Sequence, residues 1–137
     1  MNWLCNLLGN TAFLTVLTGT LVFVFGQFFL EFVLRPMRRY KELKAETAFC
    51  LRFYRAKFSN CTIDEAAQEA AKELAAKFIA YSQEKPFWLG ISKRDLQECC
   101  EKLTLLYYCV KVGKDTKIAY NCEKRIVEIL GLYGFEN

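Results

Sequence analysis

Residues 1–30 carry no charge and are rich in Leu, Val and Phe. The first acidic residue is Glu31 and the first basic one Arg35, followed closely by Arg38, Arg39, Lys41 and Lys44. A helix over 7–30 is about 36 Å long at about 1.5 Å per residue, against a hydrocarbon core of about 30 Å. The pattern predicts a transmembrane helix with a short N-terminal lead, residues 1–34, and a helical domain over 35–137. A cleaved signal peptide fits less well. It needs a basic leading region and a small-residue exit, and neither is present.

Past the span, apolar positions return every three or four residues, the mark of amphipathic helices. Over 37–58 the stripe is Met37, Tyr40, Thr47, Leu51, Tyr54 and Phe58, widened by Ala48, Phe49 and Phe53. Pro36 either opens this helix in its first turn or bends one that continues through. A turn over Ser59-Asn60-Cys61 precedes Thr62 and Glu65, which form a capping box and start a helix at Ile63. That helix runs to about Ser82 and turns Ala67, Ala70, Ala71, Leu74, Phe78 and Tyr81 inward, and its small residues imply close helix contacts. A loop over 83–91, broken by Pro86 and Gly90, contains the apolar run Phe87-Trp88-Leu89. It either tucks under the core or docks a partner.

Ser92 and Asp95 start the next helix. Its inward stripe is Leu96, Cys99, Cys100, Leu103, Leu106, Tyr107 and Val110, and Gly113 ends it. The last helix covers about 115–130, with Ile118, Cys122, Ile126, Ile129 and Leu130 inward and Gly131 closing it. No segment alternates as a strand does. The expected fold is all-α: one N-terminal transmembrane helix leading into a bundle of about four helices.

The span has two unlike sides. Ala12, Thr15, Gly19, Val22 and Gly26 share one, with Thr11 and Thr18 beside them; Leu14, Leu17, Leu21, Val24 and Phe28 occupy the other. Small residues let helices approach closely in lipid, so this side is the expected homo-oligomer contact. The alternative is a chance stripe, since Thr and Gly are common in membrane helices. Gln27 and Glu31, four residues apart, would ring the inner mouth of a central path in an oligomer. In a monomer, Glu31 pairs with Arg35 one turn on.

Charge then orients the chain. The net charge is +4, yet 35–57 alone holds eight basic residues against Glu42 and Glu46. A basic collar beside a span, with a mildly acidic remainder, is an anchored-protein pattern and not a nucleic-acid-binding one. The positive-inside rule places the domain in the cytoplasm and the N-terminus outside. Arg35, Arg38, Arg39, Lys41 and Lys44 either touch anionic headgroups, about 1 kcal/mol each when close, or serve only as a topology signal.

Little points to chemistry. The chain has no histidine, which excludes His-based metal sites and Ser/His or Cys/His nucleophile pairs. It has no phosphate-binding loop, dinucleotide fingerprint or zinc-protease motif. Seven cysteines, an odd number without C-x-x-C, fall mostly at apolar helical positions and read as reduced, buried thiols. Asn60-Cys61-Thr62 matches a glycosylation pattern that a cytoplasmic domain leaves idle. No enzyme, metal or cofactor is expected.

Leu34-Arg35-Pro36, Tyr40-Lys41-Glu42-Leu43-Lys44-Ala45-Glu46, Ala48-Phe49 and Phe53-Tyr54 together resemble a group of small, uncharacterised bacterial single-pass membrane proteins. So do Ile91-Ser92-Lys93-Arg94-Asp95-Leu96 and Arg125-Ile126-Val127-Glu128-Ile129-Leu130-Gly131-Leu132. The resemblance covers nearly the whole chain and implies a bacterial inner membrane and a cytoplasmic helical domain, but no site. A second similarity, of architecture alone, is to small membrane effectors of anti-phage defence, where a soluble domain controls a transmembrane oligomer. Two functions are therefore expected. One is an oligomeric effector, a pore or channel gated by the helical domain in response to a ligand or signal. The other is an anchored scaffold that holds a cytoplasmic protein, with Phe87, Trp88 and Leu89 as its docking point.

Overall fold

The computed structural model describes residues 11–132, and every regular element among them is helical. The chain divides into two compact units, Met1–Met37 and Arg38–Asn137.

In the first unit, helix α1 (Thr11–Phe29) is followed by a π-helical turn, Leu30–Leu34. No residue of α1 is buried. The helical stretch Thr11–Phe53 is unbroken and includes a segment long and apolar enough to cross a membrane. Pro36 shows why the π turn is there. Proline has no N–H to donate and its ring crowds the carbonyl four residues back. Just ahead of it the helix widens, and the Arg35 N–H donates to the Leu30 carbonyl, five residues back. Wide turns of this kind let a helix accommodate a local misfit. Of the two readings of Pro36, the continuing helix is the one adopted.

The second unit is built from α2 (Arg35–Phe53, which begins in the first unit), a single turn α3 (Arg55–Ser59), α4 (Glu65–Glu84), α5 (Lys93–Val112) and α6 (Thr116–Leu130). A 3-10 turn, Phe87–Leu89, joins α4 to α5. Helix α4, buried at Ala67, Ala71 and Ala75, packs most extensively against α5. Large side chains fill the centre: Leu51, Phe58, Phe78, Leu103, Leu106 and Ile126 are sealed from solvent. Helices α2 and α4 run antiparallel. Lys77 binds Glu46 at 2.8 Å, Tyr40 stacks on Tyr81 with ring centres 5.9 Å apart, and Arg39 pairs with Glu84.

Several expected details are corrected. Helix α4 begins at Glu65, not at Ile63. Its cap is Asp64, whose carboxylate accepts from the Ala67 N–H at 2.9 Å. Asp64 also faces Lys57 at 3.3 Å, so the cap is doubly held. On α2 the buried set is Leu43, Thr47, Cys50 and Leu51, while Met37, Phe49 and Phe53 lie on the exposed side. On α6, Ile118 is exposed and Ala119 takes the inward position. Ser92 and Asp115 precede α5 and α6, but neither side chain makes a capping bond. Gly113 and Gly131 do end their helices in the left-handed conformation, with φ of +68° and +57°.

Candidate functional site

The side of α1 carrying Ala12, Thr15, Gly19, Val22 and Gly26 is open. A side-chain carbon added at Gly19 or Gly26 meets nothing within 4 Å, and the side carrying Leu14, Leu17, Leu21, Val24 and Phe28 is exposed as well. The Thr15 hydroxyl, however, donates to the Thr11 carbonyl at 2.8 Å, and Thr20 to Val16 at 2.9 Å. Such back-bonding satisfies the hydroxyl within its own helix. Glu31 pairs with Arg35 across one turn, and the Phe28 and Phe32 rings stack with centres 4.2 Å apart. Gln27 is exposed.

The basic collar divides by role. Arg35 holds Glu31 and Arg39 holds Glu84. Arg38 and Lys41 are exposed, and Lys44 lies beside Gly131 at the end of α6.

One surface was missed by the hydrophobic spacing. Phe49 and Phe53 stack with ring centres 5.4 Å apart, and each is about two-thirds exposed. With Ala48 and Arg52 they line a groove of about 410 Å³. Ala45 and Ala56 extend the exposed stripe along α2 and into α3. The signal was in the chain: Leu43, Thr47, Cys50, Leu51, Tyr54 and Phe58 already complete an inward stripe, leaving Phe49 and Phe53 on the other side.

The loop after α4 splits between the two expected readings. Leu89 and Ile91 pack against the core, and the Lys85 ammonium donates to the Ile91 carbonyl, closing the loop on itself. Phe87 is 94% exposed and Trp88 40%.

The thiols are poorly suited to nucleophilic work. Cys50, Cys61, Cys99, Cys100, Cys109 and Cys122 are unpaired, and all but Cys100 are buried. Burial pushes Cys99 up to about 12, helped by the nearby Glu98 and Asp95 carboxylates, and pushes Cys50 and Cys109 up to about 11. Cys5 lies outside the described residues. Among the described residues no three metal-ligating side chains converge, and every buried side-chain nitrogen or oxygen has a hydrogen-bond partner. The one buried carboxylate among the described residues, Glu123, faces the Arg55 guanidinium at 3.9 Å and ties α6 to α3.

These features describe surfaces for contact more than a centre for chemistry. Known proteins do not add to them: no family model matches the chain, and no curated protein or solved structure proves similar to it.

Proposed function

We propose that this is a single-pass bacterial inner-membrane protein that acts by assembling with copies of itself, its domain on the cytoplasmic side controlling the assembled spans. The observation that carries this reading is the stripe of exposed Ala45, Phe49, Phe53 and Ala56, with half-buried Ala48 among them, on α2 and α3. Copies anchored in one bilayer present the same face side by side, and a two-fold pairing of that face is self-complementary. Small residues next to stacked rings suit such packing, as large and small side chains interlock. The small residues gathered on one side of α1 suit close approach of a second span. In this arrangement the spans act as a pore-forming or membrane-perturbing effector.

The test is the mass of the full chain in nanodiscs, beside a Phe49→Ser, Phe53→Ser variant and a Gly19→Leu, Gly26→Leu variant. A defined oligomer that either pair reduces is the expected result; a monomer in every sample sinks the proposal. Ion flux through vesicles then tests the pore, with Glu31→Lys as the probe. Assembly without flux leaves the second reading, an anchored scaffold holding a cytoplasmic protein. That reading is favoured by the pairing of Glu31 with Arg35 and by the Thr15 back-bond, which leave the span few polar groups for a water path.

A further inference from the structure

We infer that Phe87 and Trp88 form a second membrane contact, a wedge that enters the headgroup region of the bilayer in which the chain is anchored. The inference rests on the anchoring proposed above and goes beyond it. Helices α2 and α4 run antiparallel, with Arg39 against Glu84 and Tyr40 against Tyr81. The loop that follows Glu84 therefore lies at the end of the bundle where α2 begins. That is the end at which the chain arrives from the apolar run, since Arg38 follows Leu34 by four residues, about 6 Å of helix. The headgroup layer itself is about 5–7 Å deep on each side of the hydrocarbon.

The loop is built to hold its rings outward. Leu89 and Ile91 anchor its far side in the core, Gly90 reverses the chain at φ +68°, and Lys85 donates to the Ile91 carbonyl. Phe87 is thus displayed from a closed turn. Charge suits a lipid surface better than a protein of unspecified kind. Arg38 and Lys41 at the start of α2, and Lys93 and Arg94 just after the loop, are exposed; of the nearby acids, Glu84 is paired with Arg39 and Asp95 is exposed. Aromatic rings flanked by Lys and Arg are the usual furniture of the interface, and anionic headgroups supply the opposite charge.

The test uses the full chain carrying Trp3→Phe, which leaves Trp88 as its single tryptophan. It is reconstituted into vesicles of phosphatidylcholine and phosphatidylglycerol with or without brominated acyl chains. A control chain carries Trp3→Phe, Trp88→Phe and Phe25→Trp, placing the fluorophore in α1. The expected result is loss of Trp88 emission in brominated vesicles, weakened by Phe87→Ser at unchanged helix content, with the control quenched as well. A quenched control beside an unquenched Trp88 overturns the wedge, leaves the anchoring intact and frees the loop for a cytoplasmic protein. If neither is quenched, the anchoring reading fails and the wedge with it.

Discussion

At the scale of single residues, the informative group is Glu123. Burial pushes its carboxyl up, and Arg55 pulls it partly back. A carboxyl raised by folding contributes stability that is fully present below the unfolded range, near 4.3, and lost as pH rises through the folded value. Glu123→Gln keeps the shape and carries no charge. Its melting temperature relative to the unmodified protein should therefore climb by a few degrees as pH is taken from acid to neutral, by scanning calorimetry. The difference matters because Asp64 and Glu98 act in the opposite sense. Asp64 is held low by the Ala67 N–H and Glu98 by the Arg125 guanidinium, so both favour the folded state above the carboxylate range. A flat difference would show that Arg55, at 3.9 Å, fully offsets the burial of Glu123.

At the scale of elements, periodicity made the helices legible and their ends much less so. The stripes on α4 and α5 fall where spacing puts them, because burying one face of a 3.6-residue repeat leaves few alternatives. Capping follows local geometry that spacing does not encode. Thr62 and Glu65 have the right separation for a capping box, but Asp64 occupies the extended position ahead of the helix and its carboxylate reaches Ala67. Asp64→Ala should lower the melting temperature by about 5 °C, while Thr62→Ala should leave it within error. The reverse order would restore the earlier helix start. Helix α6 shows a second limit. Its spacing admits either Ile118 or Ala119 as the inward residue, and the smaller side chain is the one buried. The stripe proposed for self-association is hidden for a related reason: by spacing alone, aromatic side chains face the core. Phe49 and Phe53 do not.

At the scale of the whole molecule, the division into an apolar unit and a helical bundle was the most legible feature, because charge changes so abruptly at residues 31–35. The proposed orientation depends on that change. Arg35→Glu, Arg38→Glu and Lys41→Glu together should turn a uniform population into a mixed one, read by protease access to a C-terminal tag in spheroplasts. Retention of one orientation would mean that Arg39, Lys44 and the distal bases suffice. The surface at Phe49 and Phe53 was less legible, since it emerges only once Leu43, Thr47, Cys50 and Leu51 are known to be the buried side of α2.

The antiparallel pairs of α2 and α4 also have an evolutionary consequence. Arg39 and Glu46 are seven residues apart on one helix, and Lys77 and Glu84 seven apart on the other. The two helices thus share a common ruler, and a single-residue insertion or deletion within either interval would throw one pair out of step with the other. Length variation in descendants of this chain should therefore gather in the connections around residues 59–63, 85–91 and 113–115, and these two seven-residue intervals should be inherited without gaps.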